Sequence, residues 1–219
     1  MKKLIVISLF TLSSSFFTFV KAQSFQAGSL IAYGSFGIDI LHTTYSQTIN
    51  YYGLKSNTQS NTGSAAASTP QLGAEYGVTN WLGLGLAGQF DEYIHGKNDT
   101  NSGVSTAVAF EIGAIINFHI IRHTHFDLLA GFNVGYSNLT VTSSDGTNDQ
   151  IYGSGSWFDV HLTSRIYVGR FGFNITLVFP NMNYPNLTSN VPTYNQYVLS
   201  SFKLSGTGLN VGVQYHFLQ

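Results

Sequence analysis

Two histidine motifs contain the residues of this sequence whose types and spacing could do chemistry. In the first, His161 and Thr163 lie two positions apart, with hydroxyl groups at Ser156 and Ser164 nearby and carboxylates elsewhere in the chain. A histidine, a hydroxyl and a carboxylate are the groups of a hydrolytic triad. Because residues two apart on a strand share one face, we expect both side chains to point to the same side of their strand.

The second motif is a group of three histidines close in sequence, His119, His123 and His125. A His-x-His pair on an extended segment could chelate zinc or copper on one face. The alternative, which we favour, is that these side chains and Arg122 are polar residues of a turn. No glycine-rich segment follows a strand and opens a helix, so the glycines do not indicate a nucleotide site. We therefore predict neither a metal ligand nor a cofactor.

The elements that carry these residues alternate with a period of two, which indicates β-strands. In the segment 104–118, for example, Phe110 and Ile112 alternate with Glu111 and Gly113. Eight strands are predicted in this way, near residues 28–42, 69–79, 81–94, 104–118, 125–139, 154–168, 170–180 and 198–217.

The connections between these strands alternate in length. Short turns are predicted around 78–81, 119–124 and 168–170, and long polar stretches at about 43–68, 95–103, 140–153 and 181–197. This order is typical of an all-β, antiparallel up-and-down barrel with two unequal rims. All four prolines are expected in loops or at strand ends, because proline cannot donate a hydrogen bond to a strand ladder.

The composition predicts that this barrel lies in a membrane. Only 9% of the residues are charged, against about 25% in soluble domains, which is too few to cover an exterior that faces water. Beyond the N-terminus no apolar run approaches the roughly 18–20 residues of a membrane helix. Only α-helices and closed β-barrels can span a membrane, so the lack of an apolar helix predicts a closed β-barrel.

The N-terminus has the features of a secretory signal peptide. Lys2 and Lys3 precede an apolar run over residues 4–20, and Val20-Lys21-Ala22 places small residues at the cleavage positions. We predict a signal peptide at 1–22 and one barrel domain at 23–219. The mature chain would keep six basic and ten acidic residues, a net charge of −4, and so has no electrostatic footprint for nucleic acid. The absence of cysteine excludes disulfides and thiolate metal sites.

Residue size predicts which face of the barrel points outward. The polar face consists largely of Gly, Ala, Ser, Asn and Thr, and the apolar face of Phe, Leu, Ile and Val. An eight-stranded barrel has just enough interior for side chains, so rings of Phe and Leu would overfill it and are expected to face lipid. The polar face would form a network in the lumen, namely Asp39, Glu75, Asp91, Glu111, Asp127, Asp159, His161, Arg165 and Lys203. We favour a sealed structural network over a cation or substrate path.

The last predicted strand contains a break in the alternation. Phe202 and Leu204 have even numbers, whereas the apolar residues from Leu209 onward have odd numbers. Because Gly206 and Gly208 lie between them, we predict a bulge or twist at 206–208.

These residues resemble small outer-membrane β-barrels of Gram-negative bacteria, of the OmpX or OmpA transmembrane-domain type, over the whole mature chain. The most specific feature is an alternating C-terminal strand that looks like the signal read by the barrel-assembly machinery, formed by Leu209, Val211, Val213, Tyr215 and Phe217. The family pattern usually ends on the aromatic residue, whereas here Leu218 and Gln219 follow.

The resemblance implies an outer-membrane location, in contact with outer-membrane lipid and lipopolysaccharide, but no single activity. Family members include adhesins, structural barrels, narrow channels and lipid-modifying enzymes. The lipid A deacylases of this architecture use a His-x-Ser pair with a carboxylate. In this chain Thr163 takes the second position and should face the lumen, away from lipid, so we expect no enzyme.

The expected role is therefore structural or adhesin-like, through extracellular loops that could bind an outside ligand. The first long stretch, 43–68, is either a binding loop or a disordered shield of the surface. A narrow, porin-like channel or carrier for small solutes is the alternative function.

Overall fold

The computed structural model describes residues 25–51, 54–56, 58–94, 104–143, 149–191 and 197–218. The predicted signal peptide lies outside these residues. Eight long strands follow one another along the chain: β1 (Leu30–Tyr51), β2 (Gln59–Gly77), β3 (Leu82–Ile94), β4 (Val104–His123), β5 (Phe126–Ser143), β6 (Gln150–Val168), β7 (Phe171–Ser189) and β8 (Val198–Leu218). A two-residue strand, Leu54–Lys55, pairs with the end of β1. Among the described residues, no helix has the length and apolarity needed to span a membrane.

The eight strands form one closed ring. Each pairs antiparallel with the next, and β1 also pairs with β8, from Ile49↔Val198 to Leu30↔Leu218. The predicted eight-stranded up-and-down barrel is confirmed. Three short connections and both ends of the barrel chain lie at one rim, here called the turn end. A closed ring leaves no strand edge without a hydrogen-bonding partner.

Most strands are longer than the sequence predicts. β1 has 22 residues and the shortest strand, β3, has 13, whereas a tilted strand needs about 9–11 residues to cross a bilayer. β1 and β2 pair from Leu30↔Tyr76 as far as Gln47↔Gln59, so the stretch predicted as a long loop at 43–68 is largely strand. The same holds for much of 140–153 and 181–197, while 95–103 lies outside the described residues. The hydrogen bonds between neighbouring strands are made by backbone groups. A strand can therefore continue through a stretch of polar side chains.

The outer surface of the ring carries an apolar band. Leu86 is 67% exposed although its side chain is large and apolar, which suits contact with lipid better than contact with water. Every strand has such outward residues at mid-height, for example Phe36, Leu72, Leu86, Ile112, Val134, Val160, Ile175 and Val211. Beyond the band, the strands continue with outward side chains that are mainly polar. We call these polar strand ends the collar.

Three prolines lie within strands, contrary to the prediction that all lie in loops or at strand ends. Pro70 is in β2, and Pro180 and Pro185 are in β7; Pro192 lies outside the described residues. The β2–β3 ladder jumps from Ser68↔Glu92 to Gln71↔Gln89 across Pro70. The β7–β8 ladder jumps from Val178↔Gly208 to Asn181↔Ser205 across Pro180. A long barrel strand tolerates each interruption because the rungs on both sides remain.

The bulge predicted at 206–208 is wrong. The register of β8 on β1 is continuous from Val198 to His216. Leu204 instead faces into the lumen, where it is 1% exposed, and Phe202 packs beside it. The alternation is thus unbroken, and the even-numbered apolar residues are interior ones at the collar level.

A pair of glycines brings β4 and β5 unusually close. Gly113 and Gly135 face each other in the register. A Cβ on Gly113 would lie 2.5 Å from the carbonyl oxygen of Val134, and one on Gly135 would lie 2.1 Å from that of Ile112. These glycines are therefore needed for the close approach of two backbones, and not only as small residues that line the lumen.

Candidate functional site in the lumen

Four polar side chains form a network in the half of the lumen nearest the turn end. The ring of His119 lies between two carboxylates, with Nδ1 2.6 Å from Asp127 Oδ2 and Nε2 2.8 Å from Glu75 Oε1. Arg165 Nη2 donates to the other oxygen of Glu75 at 2.8 Å. All four side chains are buried. They come from β2, β4, β5 and β6, where each occupies an inward position.

The network places one arginine and one imidazole beside two carboxylates. Both ring nitrogens of His119 face carboxylate oxygens, and Arg165 supplies a positive charge beside Glu75. Ions buried together in this way depend on each partner, because removal of one leaves another uncompensated.

The segment before β1 closes the turn end of the lumen. Phe25 is fully buried and stacks on the ring of His119, with 3.4 Å between the ring centroids and 7° between the planes. The Gly28 N–H donates to the Gly77 carbonyl at 2.8 Å and the Ala27 N–H to Asn80 Oδ1 at 3.0 Å. Gly28 has a φ of 84°, a conformation that favours glycine. The mouth is therefore capped by an aromatic ring held in place by backbone bonds.

A second polar cluster lies further into the lumen. Asp159 accepts two hydrogen bonds from Asn133 Nδ2, at 2.9 and 3.1 Å. His161 contacts Asp159 Oδ1 through Nδ1 at 3.1 Å and Asn117 Oδ1 through Nε2 at 2.8 Å. A cavity of about 30 Å³ lies beside this cluster, enough for about one or two water molecules.

The candidate hydrolytic residues do not form a nucleophile and base pair. Thr163 Oγ1 bonds to Thr176 Oγ1 at 2.9 Å, whereas the ring nitrogens of His161 are used by Asp159 and Asn117. His161 and Thr163 are both buried and face the lumen, so neither side chain reaches the lipid-facing wall.

Three carboxylates lie in the upper lumen without a cation. Asp39, Asp91 and Glu111 are each at most 1% exposed, and none takes part in the ion pairs found among the described residues. Gln89 Nε2 donates to Asp91 Oδ1 and Ser137 Oγ to Glu111 Oε1, both at 2.8 Å. In the described part of the chain, no group of three acidic or histidine residues is arranged to hold a metal ion. Asp91 and Glu111 are therefore each held by a neutral donor.

An apolar plug fills the lumen at the collar level, where the sequence predicts a narrow polar bore. Its largest members are fully buried: Trp157, Tyr184, Met182, Leu204 and Leu41. The Tyr184 hydroxyl lies 2.6 Å from Ser137 Oγ, which joins the plug to the acids below it. Trp157 is odd-numbered, like the inward residues Asp159 and His161 of the same strand. The alternation along β6 therefore already predicts that Trp157 faces the lumen.

Lys203 is not part of the lumen network, which corrects the sequence prediction. Its side chain is exposed on the outer face of β8, because the neighbouring Leu204 takes the inward position. The other predicted network residues are buried in the lumen: Asp39, Glu75, Asp91, Glu111, Asp127, Asp159, His161 and Arg165. The network predicted from the sequence did not include His119. Its position was nevertheless predictable, because His119 is odd-numbered like Glu111, which faces the lumen from the same strand.

The three histidines considered for metal binding do not assemble. His119 is buried in the lumen, whereas His123 and His125 are exposed at the turn between β4 and β5. On β8, the apolar residues Leu209, Val211, Val213 and Phe217 face outward. Tyr215 packs edge-on against Phe171 and Phe217, with 4.9 Å between the ring centroids in both pairs. Their role as an assembly signal stays a prediction.

Comparison with known proteins identifies the fold. No protein-family model and no curated protein matches the chain. Among solved structures, the outer membrane protein OprG from Pseudomonas aeruginosa is similar, with a TM-score of 0.60 and 14% identity over 89% of this chain and 98% of OprG. Neisserial surface protein A has a TM-score of 0.48 and 10% identity, over 82% of this chain and 96% of its own. Ail, the attachment invasion locus protein of Yersinia pestis, has a TM-score of 0.39 and 12% identity, over 83% of this chain and 98% of its own. At such identities a likeness shows the fold alone, and the chain has the fold of the small eight-stranded outer-membrane β-barrels.

Proposed function

We propose that the protein is an integral barrel of a bacterial outer membrane with a structural or surface-interaction role, which it performs through its collar and long loops. In this proposal a signal peptide directs the chain through the periplasm, and the barrel-assembly machinery reads the C-terminal strand. The observation that carries the proposal is a lumen obstructed at three levels by buried side chains, in a ring whose outer wall is apolar. Such a molecule offers its outer rim, and not its interior, for function.

We infer the orientation from the lengths of the connections. Barrels of this type have short turns in the periplasm and longer loops outside the cell, which supports a periplasmic turn end and an extracellular collar. The collar is an ordered surface of hydroxyl and amide groups. Ser46 Oγ lies 2.8 Å from Ser60 Oγ, and Thr48 Oγ1 lies 2.7 Å from Thr58 Oγ1. This arrangement supports an interaction surface, rather than a disordered shield, over the described part of 43–68.

Three successive obstacles support a closed lumen rather than a channel. Phe25 covers the turn end, the network around Arg165 and Glu75 crosses the lower lumen, and the plug around Trp157 fills the upper lumen. A cavity between them, beside His161 and Arg165, has a volume of about 30 Å³. The positions of His161 and Thr163 inside this lumen also favour a role without catalysis, because an acyl chain in the membrane would not meet them.

Labelling of intact cells tests the placement in the membrane. The chain contains no cysteine, so a single Thr62→Cys or Thr124→Cys substitution introduces a unique thiol; both positions are exposed. We expect a membrane-impermeant maleimide to label Thr62→Cys in intact cells, and Thr124→Cys only after the outer membrane is permeabilised. The reverse pattern would invert the orientation, and labelling of neither thiol before lysis would contradict the surface location.

Planar-bilayer recordings test the closed lumen. We expect the purified barrel to show no steady conductance, in membranes where a wide porin inserted as a control conducts. The reason is that ion passage would require displacement of the buried plug and the ionic network together. Reproducible channels that disappear in a Glu111→Gln variant would overturn the structural role in favour of the narrow channel.

A further inference from the structure

Four outward side chains lie side by side across four neighbouring strands. The register pairs Tyr136 with Ser156, Ser156 with Asn183, and Asn183 with Lys203. All four face away from the lumen. Adjacent strands are about 4.8 Å apart, so this outer row spans roughly 14 Å, which is close to the size of a disaccharide.

An open groove runs along part of the outer row. It has a volume of about 410 Å³ and is lined by Tyr136, Ser154, Ser156, Asn183, Pro185 and two glycines. The groove coincides with an irregularity of the sheet, because the β6–β7 register shifts between Ser154 and Ser156. A larger groove of about 690 Å³ lies on the apolar band and is lined mainly by apolar side chains such as Phe36, Leu72 and Phe90, whereas the groove at the outer row has polar groups.

Lys203 gives one end of the outer row an uncompensated positive charge. It takes part in none of the ion pairs found among the described residues. The only acidic residue of β7, β8 and β1 is Asp39, which is buried in the lumen. Asn183, beside Lys203, is half-buried, and its Oδ1 lies below the surface without a hydrogen-bond partner. The row therefore offers an aromatic ring, a hydroxyl, an amide and a cation, in that order.

The outer row lies where the apolar band gives way to the collar. Tyr136 follows the band residue Val134 on β5, and Ser156 precedes Phe158 on β6. Strands in such barrels tilt by about 35–45°, so a row perpendicular to them rises from the apolar band towards water. Tyrosine at the lower end is typical of the membrane interface. The upper end, at Lys203, would lie at the level of lipid headgroups.

We propose that the outer row binds the phosphorylated sugar headgroup of a glycolipid in the outer leaflet. The ring of Tyr136 would pack against the apolar face of a sugar, Ser156 and Asn183 would bond its hydroxyl or amide groups, and Lys203 would bind a phosphate. The proposal rests on the outer-membrane location proposed above. It adds a specific lipid site to that location, on a wall otherwise suited to any acyl chain.

Native mass spectrometry of the folded barrel in detergent measures this binding directly. The probes are diphosphorylated lipid A, the same glycolipid without phosphates, and phosphatidylglycerol. We expect wild-type protein to prefer diphosphorylated lipid A over both other lipids. Lys203→Gln should weaken its binding about tenfold, as loss of a hydrogen bond to a charged group does, and leave the affinity for the dephosphorylated form unchanged. Asn183→Leu should weaken the binding of both glycolipids.

Arg170→Gln is the matched control, because it removes an exposed positive charge at the turn end. If Lys203→Gln and Arg170→Gln weaken binding equally, or if phosphatidylglycerol binds as tightly as lipid A, the site is wrong and the attraction is only that of net charge. Such a result leaves the outer-membrane location intact, since thiol labelling of intact cells tests that separately.

Discussion

Replacement of Arg165 by methionine is expected to lower the free energy of unfolding by about 3–5 kcal/mol, because it leaves the buried carboxylate of Glu75 without the arginine that compensates its charge. Glu75 would keep only His119, which also binds Asp127. Methionine retains much of the volume of the arginine stem, so the loss reports the charge more than the packing. Urea titration of the barrel in phospholipid bilayers, followed by tryptophan fluorescence, measures the change.

Two further variants separate this effect from a general one. Arg170→Gln removes an exposed guanidinium and should change stability by less than about 0.5 kcal/mol. The double variant Arg165→Met with Glu75→Gln removes both members of the pair and should be more stable than Arg165→Met alone, because no unpaired ion remains beside His119. If Arg165→Met lowers the free energy of unfolding by no more than Arg170→Gln does, the network does not stabilise the lower lumen.

Leu86→Arg is expected to destabilise the barrel by about 2–4 kcal/mol, the cost of a lipid-facing arginine near the bilayer midplane. Leu86 is one of the apolar outward residues of β3, between Leu84 and Phe90, and is 67% exposed. The same unfolding titration measures this change. In a water-facing wall the substitution would be nearly neutral.

Thr62→Arg is the matched control for the lipid-facing wall. Thr62 also faces outward, but it lies in the collar on β2, opposite Thr44. An arginine there remains in water and should alter stability by less than about 0.5 kcal/mol. If Leu86→Arg and Thr62→Arg lower the free energy of unfolding equally, the apolar band is not the part of the wall that contacts lipid.

The sequence predicts the fold of this protein well because the barrel repeats one simple rule. Each strand alternates between two environments, so even a short run such as Phe110, Glu111 and Ile112 assigns all of its residues to faces. Residue size then decides the orientation, since Leu86 fits lipid and Glu111 fits a small lumen. Closure follows because no strand edge can remain open in lipid.

The limits of the strands were harder to predict, for a physical reason. Above the membrane the outward side chains are polar, so apolar and polar residues no longer alternate clearly along the strand. For this reason the sequence of residues 43–68 predicts a loop. The ladder nonetheless continues, since backbone groups pair with each other whatever the side chains are. Pro70 and Pro180 were misplaced because a barrel strand with many rungs tolerates the loss of a few.

The sequence predicts the polar side chains of the lumen but not the apolar plug at the collar level. Glu75, Asp127 and Arg165 have the polar types that the alternation expects inside. Trp157 and Leu204 are apolar, and a rule that places all large apolar residues outside misses them. The upper part of the lumen lies above the apolar band, where a buried apolar group avoids water as it would in a soluble core.

The length of the strands beyond the bilayer bears on how this protein would meet a partner. From Ile40 to Ile49, β1 continues for nine residues and remains paired with β8, which carries the wall roughly 20–25 Å further if the tilt is maintained. A flexible loop loses about 1–2 kcal/mol of backbone conformational entropy for each residue that it orders on contact. The collar has already lost that freedom during folding, so whatever docks on it encounters a preorganised surface and incurs little ordering cost.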